Sequence, residues 1–316
     1  MLNYTLRRLV IAVALIIAVG TLTQLVIHMI PGDPVYLILG AEMAPDPQVL
    51  DSVRHQLGLD RPIYEQVLSG LYGLFTFDLG KSLQDGRSVS NLIIQTLPIS
   101  FILVISATLV SVLIGMTLGA IAAIKHNSAI DWAATVFATL GISTPVFVSG
   151  TFLIYLFCLY LGWVPAGGYV SPVEDPGAFF KRLLLPALTV GFAHGAEIAR
   201  MTRSCMLETL RADYITTARS KGLKEIVVLV KHGLRNALIP VVAMIGIQFG
   251  SMFGRTVLIE AVFSWPGMMS TMVIAARFHD YPVARGILMV IAAIFILINL
   301  IIDLAYAYLD PRIVYE

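Results

Sequence analysis

Leu9–Ile30 reads LVIAVALIIAVGTLTQLVIHMI, an apolar run in which His28 is the only titratable side chain. About twenty consecutive apolar residues make a helix long enough to cross the ~30 Å hydrocarbon core of a bilayer. Arg7 and Arg8 precede the run, as in a signal peptide, but the core of a cleaved signal is only about 7–15 residues long. The run stops at Pro31-Gly32-Asp33-Pro34, which ends a helix and offers no small-residue cleavage site. The stretch predicts a retained first membrane helix, and with it a chain whose main solvent is lipid.

Composition extends that prediction to the whole chain. Hydrophobic residues make up 58% and charged residues 13%, and mean hydropathy is +0.85. A soluble domain carries about a quarter charged residues, so this chain has more apolar surface than one aqueous core could hide. The net charge of +1 points to no nucleic-acid partner. Cys158 and Cys205 lie in or beside apolar runs without CxxC spacing, which indicates neither a disulfide framework nor a zinc site.

Six segments satisfy the length and hydropathy requirement: 9–30, 98–124, 133–161, 183–204, 236–259 and 285–309. Lys/Arg bias orients them. Arg7, Arg8, Lys125, the basic residues between Arg200 and Arg235, and Arg312 gather on one side. The longer segments of the other side hold only Arg54, Arg61, Lys81, Arg87, Lys181, Arg182, Arg277 and Arg285. The positive-inside rule puts both termini in the cytoplasm. The expected organisation is an N-terminal segment with the first span (1–30), an extracytoplasmic cap (31–97), a core of five spans (98–309) containing the loop 204–235, and a cytoplasmic tail (310–316). Between Asp46 and Phe75 apolar and charged residues alternate as in short amphipathic helices, limited by Gly58, Pro62 and Gly70. No two halves match, which argues against a secondary transporter built on internal repeats.

Small residues recur every fourth position: Ser111, Gly115, Gly119 and Ala123; Ala187, Gly191, Gly195 and Ala199; Gly246, Gly250 and Gly254. Such stripes let backbones approach closely in lipid. They suit either static packing or a mobile seam beside a solute path.

Leu79-Gly80-Lys81-Ser82 mimics the end of a phosphate-binding loop, but Phe75 stands where the motif needs its first glycine. ATP-driven work by this chain would therefore need a partner to hold the nucleotide. The six histidines show no chelating spacing, so no metal ligands are assigned. No nucleophile elbow or carboxylate pair appears, and no catalytic residue is assigned. The informative intramembrane charges are Glu197 and Arg200, with His194 one turn earlier; spacings of three suggest one helix face. They form either a structural Glu197–Arg200 pair or a polar lining for a solute, since a lone charge in hydrocarbon costs several kcal/mol. Arg255 and Asp303 are further candidates, for a structural role first and for solute contact second.

In the basic loop, Asp213 is a candidate N-cap and Gly222 a candidate C′ residue. The residues between them span two turns, roughly 12 Å. Tyr214, Ile215 and Ala218 would form its apolar face, with Arg219 and Lys221 turned to water or an acidic partner. This is either a knob for a partner's groove or a loop that only sets topology.

The wider pattern narrows the choice. Asp213-Tyr214-Ile215-Thr216-Thr217-Ala218-Arg219-Ser220-Lys221-Gly222-Leu223, followed by His232-Gly233-Leu234-Arg235-Asn236-Ala237-Leu238-Ile239-Pro240, resembles the coupling segment of bacterial ABC importer permeases of the dipeptide, oligopeptide and nickel family. The likeness runs through Met29–Pro34, Gln56–Pro62, Asp78–Ser82, Arg200–Ser204, Phe263–Gly267, Asp280–Val283 and Asp310–Ile313. The general Glu-Ala-Ala signature is replaced by Thr216-Thr217-Ala218, a departure shared with the peptide branch.

The resemblance implies an all-α integral membrane protein with six transmembrane helices in the type I importer permease fold of the bacterial inner membrane. It implies a heterodimer with a homologous second permease, two cytoplasmic ATPases that bind ATP and Mg, and an extracytoplasmic solute-binding protein. The 31–97 region and the Phe263–Gly267 loop would help receive that protein. Asp213, Tyr214, Ile215, Thr216, Thr217, Ala218, Arg219, Lys221 and Gly222 would couple to the motor, and His194, Glu197 and Arg200 would line the path. Peptides lead as cargo, with glutathione and nickel chelates as alternatives. An intramembrane enzyme and a non-transporting scaffold are the rivals of other classes.

Overall fold

The computed structural model describes residues 2–29, 47–57 and 60–309. The stop at Pro31–Pro34, Gly58 and the Asp310–Ile313 motif lie outside the described residues. The described chain is helical and divides into two compact units, Met1–Ser100 with Pro266–Glu316, and Phe101–Trp265.

The first unit begins with α1 (Leu2–Met29), α2 (Pro47–Leu57) and α3 (Ile63–Thr76). Pro62, at φ −56° and ψ 145°, is the N-cap of α3, while Gly70 is carried inside the helix and does not end it. The long α4 (Val89–Ile124) contributes its first turns here; α12 (Met268–Arg277) and α13 (Tyr281–Leu309) complete the unit. Leu79, Val89, Ile93, Met268, Val283 and Ile287 form its core. Arg8 of α1 reaches Asp303 of α13 at 2.8 Å, so the Asp303 charge is paired within the bundle.

The segment that mimics a phosphate loop is a structural clip. The Ser82 hydroxyl donates to Asp280 Oδ2 at 2.5 Å, the Leu83 N–H donates to Asp280 Oδ1, and Gln84 Nε2 donates to the Phe278 carbonyl. Asp280 also stands at the N-terminal end of α13, where a carboxylate satisfies free backbone donors. Two motifs far apart in sequence, Asp78–Ser82 and Asp280–Val283, thus meet in one hydrogen-bonded knot.

In the second unit α4 continues from Phe101. It is followed by α5 (Ala129–Ser143), α6 (Val146–Leu153) with a π-helical extension Ile154–Tyr160, and α7 (Pro176–Leu210). Then come α8 (Asp213–Ser220), α9 (Glu225–Val227) with the π-helical turn Val228–Leu234, α10 (Arg235–Arg255) and α11 (Val257–Val262). The expected straight span 133–161 is broken: α5 and the α6 segment meet at 105°. Proline explains the break. Residues before proline are pushed out of the helical region, and Thr144 before Pro145 sits at φ −87°, ψ 125°.

Among the described residues four helical stretches are long and apolar enough to cross a membrane: Thr5–Thr23, Val89–Ile124, Glu225–Arg255 and Tyr281–Leu304; the bent pair makes a fifth if it is one span. The helix α7, expected as a span over 183–204, falls outside this group. Its charges dilute its hydropathy, and it can carry them because it is sheathed by protein, with Leu185, Thr189, Ala196, Ile198 and Thr202 buried. A helix covered by other helices needs little lipid-facing surface.

Two of the three small-residue stripes face each other. A Cβ on Gly115 would meet Ile198 Cβ at 2.6 Å, one on Gly119 the Ala199 carbonyl at 2.5 Å, and one on Gly191 Val110 at 2.5 Å. These glycines therefore let α4 and α7 pack backbone to backbone. Gly254 of the third stripe has open space around its Cβ position and takes no part in such a seam.

Candidate functional site

The basic loop folds as expected in outline, with corrections at its ends. The N-cap of α8 is Ala212, without a side-chain hydrogen bond, and Asp213 is the first helical residue. There its carboxylate lies beside the positive end of the helix dipole. The far end closes as predicted: Lys221 N–H donates to the Thr217 carbonyl, Gly222 N–H to that of Arg219, and Gly222 takes φ +74°. That left-handed geometry favours glycine.

Ile215 and Ala218 are buried and pack on Val228 of the following π-helical turn. Tyr214 is half exposed; its hydroxyl accepts from Asn236 Nδ2 at 3.2 Å, which ties α8 to the start of α10. Thr216, Thr217 and Lys221 face outward. Arg219 is braced within the chain: its guanidinium holds Glu225 through two hydrogen bonds, the shorter 2.7 Å. The result is a short helix anchored on one side, braced by an ion pair and stopped by a glycine, with its other side open.

The trio His194, Glu197 and Arg200 does not act as one face. Successive residues on an α-helix turn by about 100°, so steps of three lag by ~60° and two steps by ~120°. His194 is buried, Glu197 is about one-third exposed, and Arg200 is exposed over the α4–α5 side. Glu197 does not pair with Arg200. Its carboxylate accepts from Gln248 Nε2 at 2.6 Å and lies 4.0 Å from the Arg255 guanidinium. Arg255, a further candidate in the sequence, belongs with Glu197. Among the described residues, Gln248 Oε1 and His194 Nδ1 are buried polar atoms without a hydrogen-bond partner. Each such orphan costs about 1–3 kcal/mol.

Arg200 borders a cavity of about 70 Å³ between α4, α5 and α7, lined by Gly119, Ala122, Ala138, Ala199 and Arg203. Beside it is a cluster that sequence reading missed. Arg203 grips Asp131 with Nε at 2.6 Å and an NH2 at 2.8 Å, the Asn127 N–H donates to the same carboxylate at 3.0 Å, and His126 Nδ1 lies 3.2 Å away. The signal was present as Ser128-x-x-Asp131, a helix-capping spacing; the Ser128 hydroxyl accepts from the Asp131 N–H. Nothing local could have pointed to Arg203.

The Phe263–Gly267 loop alternates buried and exposed residues. Phe263 and Trp265 are almost fully buried, with Trp265 edge-on to Tyr169 at 5.2 Å between ring centroids. Their aromatic rings serve the core, and only Ser264 and Pro266 turn outward.

Helices long and apolar enough to cross a membrane, one pair of them broken at a proline, define a multi-pass membrane protein. Residues 115–315 match the family described as binding-protein-dependent transport system inner membrane component, and residues 1–104 match its N-terminal counterpart. The chain belongs to this family: it is a permease subunit of an ABC importer, embedded in the inner membrane.

A protein named as a peptide permease from Brucella suis biovar 1 is 41% identical over 316 residues, 99% of each chain. The glutathione transport system permease protein GsiC of Escherichia coli K12 is 40% identical over the whole of both chains. A crystal structure of an amino acid ABC transporter with histidines shares the fold, with TM-score 0.51 and 17% identity over 71% of this chain and 94% of that one.

Proposed function

We propose that this chain is one permease of a heterodimeric peptide importer and that α8 couples it to the motor. The carrying observation is the stance of α8: Ile215 and Ala218 hold it down while Tyr214, Thr216, Thr217 and Lys221 remain accessible. A helix so braced transmits a push to α7 and α10 as a rigid body, the kind of element that switches between two arrangements. Asp213–Ser220 with Lys221 and Gly222 is then the surface offered to the partner.

In this reading six segments cross the membrane, α7 and the bent α5–α6 pair each counting once, and both termini are cytoplasmic. The 31–97 region caps the outer face, 98–309 forms the core and 310–316 is the tail. Two ATPases bind ATP and Mg, a second permease completes the pore, and an extracytoplasmic binding protein delivers cargo. This subunit carries no covalent chemistry and no nucleotide.

Peptide cargo is supported by the names of full-length relatives at 40–41% identity. Glutathione, itself a peptide, is the second reading, favoured by the GsiC relative. The test is reconstitution of the chain with its partners in proteoliposomes. A bulky residue at Gly222 should lower both coupled ATPase activity and uptake while assembly persists. Normal uptake by such a variant would exclude α8 as the coupling element. Cysteine labelling from either side of the membrane tests the six-span topology, and an externally labelled loop 204–235 would overturn it.

A further inference from the structure

Glu197, Gln248 and Arg255 carry more polar equipment than packing requires. Glu197 sits deep in α7, with roughly 20 Å of helix between it and Leu210 and roughly 30 Å back to Pro176. A carboxylate at that depth is expensive unless it meets a partner or a wet path. Its partners are incomplete for a sealed structural pair. Gln248 gives Glu197 one hydrogen bond at 2.6 Å, but its own buried oxygen has no partner among the described residues. Flipping the amide would set oxygen against the carboxylate and orphan the nitrogen instead, so neither orientation satisfies the group.

Arg255 stops at 4.0 Å, beyond hydrogen-bond length, with 59% of its side chain exposed, and Glu197 is 35% exposed. A negative and a positive group stand side by side, both accessible, with an amide fixing the first.

We propose that Glu197 and Arg255 form a zwitterion-accepting step of the transport path, taking the free ammonium and the free carboxylate of a small peptide, with Gln248 as positioning residue. This rests on the peptide-importer reading and sharpens it. The site selects against peptides with blocked ends, and it moves the path-lining role from Arg200, which turns toward α4 and α5, to Arg255. Charge complementarity supports the occupant: an ammonium is a strong donor to a carboxylate, and a guanidinium matches a carboxylate with paired N–H groups. The long, exposed Arg255 side chain can follow the roughly 7 Å between the ends of an extended dipeptide.

The experiment uses the complete importer in proteoliposomes, with the loaded binding protein and a radiolabelled dipeptide with free termini. Glu197→Gln and Arg255→Gln are expected to lower uptake at least ten-fold, with ATPase stimulation by the loaded binding protein kept within two-fold. In parallel, a photoreactive phenylalanine derivative replaces Ser251, which lies one turn from both Gln248 and Arg255. During turnover it should cross-link the dipeptide, competed by excess unlabelled dipeptide, whereas the same group at Arg200 should not.

Uptake within two-fold of wild type in both variants would sink the site alone, as would cross-linking at Arg200 without cross-linking at Ser251. If the variants fail to assemble, the cross-links decide. A wild-type complex that takes up no peptide would sink the importer reading, and this site with it.

Discussion

Replacing Gly119 by alanine tests the seam between α4 and α7. The added Cβ would lie 2.5 Å from the Ala199 carbonyl and 2.7 Å from Thr202 Cβ. Ordinary non-bonded contact begins near 3.5 Å, so the helices must part locally by about 1 Å, and a gap of that size forfeits a quarter to a half of each dispersion contact along the seam. The obstructing wall is mainly backbone, which cannot rotate away, and overpacking of this kind costs about 1–3 kcal/mol. Alanine also improves helix propensity over glycine by about 1 kcal/mol, which would blur the result if Gly119 were changed alone.

Gly254 supplies the control, because its Cβ position meets open space. Gly254→Ala keeps the propensity gain without the clash. The difference between the two variants therefore isolates the seam, at about 1–3 kcal/mol against Gly119→Ala. The assay is reversible unfolding of the purified permease in mixed micelles by SDS titration, followed by far-ultraviolet circular dichroism. If Gly119→Ala matches or exceeds Gly254→Ala in stability, the backbone-to-backbone seam is refuted.

Three further outcomes follow from the same geometry. Asp131→Asn removes the charge that Arg203 grips, and because the Arg203 side chain is still 30% exposed the loss is expected at about 1–3 kcal/mol, below that of a deep pair; a double-mutant cycle with Arg203→Leu that shows no coupling would refute it. Gly222→Ala is strained by φ +74° in otherwise open space, costing about 1 kcal/mol. Gly222→Asn should cost less, since Asn tolerates that region, and equal unfolding curves for the two would count against the left-handed stop. The Asp85 carboxyl is held down to about 2, first by its hydrogen bond to the Arg87 side chain. A depressed carboxylate stabilises the fold above its unfolded pKa of about 3.9 and loses that contribution as pH falls toward 2. Hydrogen-exchange protection of the 82–88 turn should thus be level from pH 7 to 5 and fall below 4, and a fall already at pH 6 would contradict it.

The residues themselves declare the lipid solvent, the apolar segments, the C′ glycine at Gly222 and the clustering of basic charge in one loop. Each is a local property: hydropathy over a window, a φ preference, a spacing within two turns. The ends and partners of those features were less legible. Asp213 looked like a cap because its side chain suits one, but the turn after Leu210 leaves Ala212 in that place. The 133–161 segment looked continuous because hydropathy ignores the single Pro145 that bends it.

What only the tertiary structure decided is which distant groups meet. Asp78–Ser82 finds Asp280, Asp131 finds Arg203, and Glu197 chooses Gln248 and Arg255 over Arg200. The physical reason is rotation. A helix turns about 100° per residue, so the direction in which a charge points is set by which face its helix buries against its neighbours. For α7 that face is fixed by glycines of α4 and by contacts across the bundle. Sequence determined that this protein lives in a membrane and carries a glycine-stopped helix in its basic loop; packing determined where the charges of its helices point.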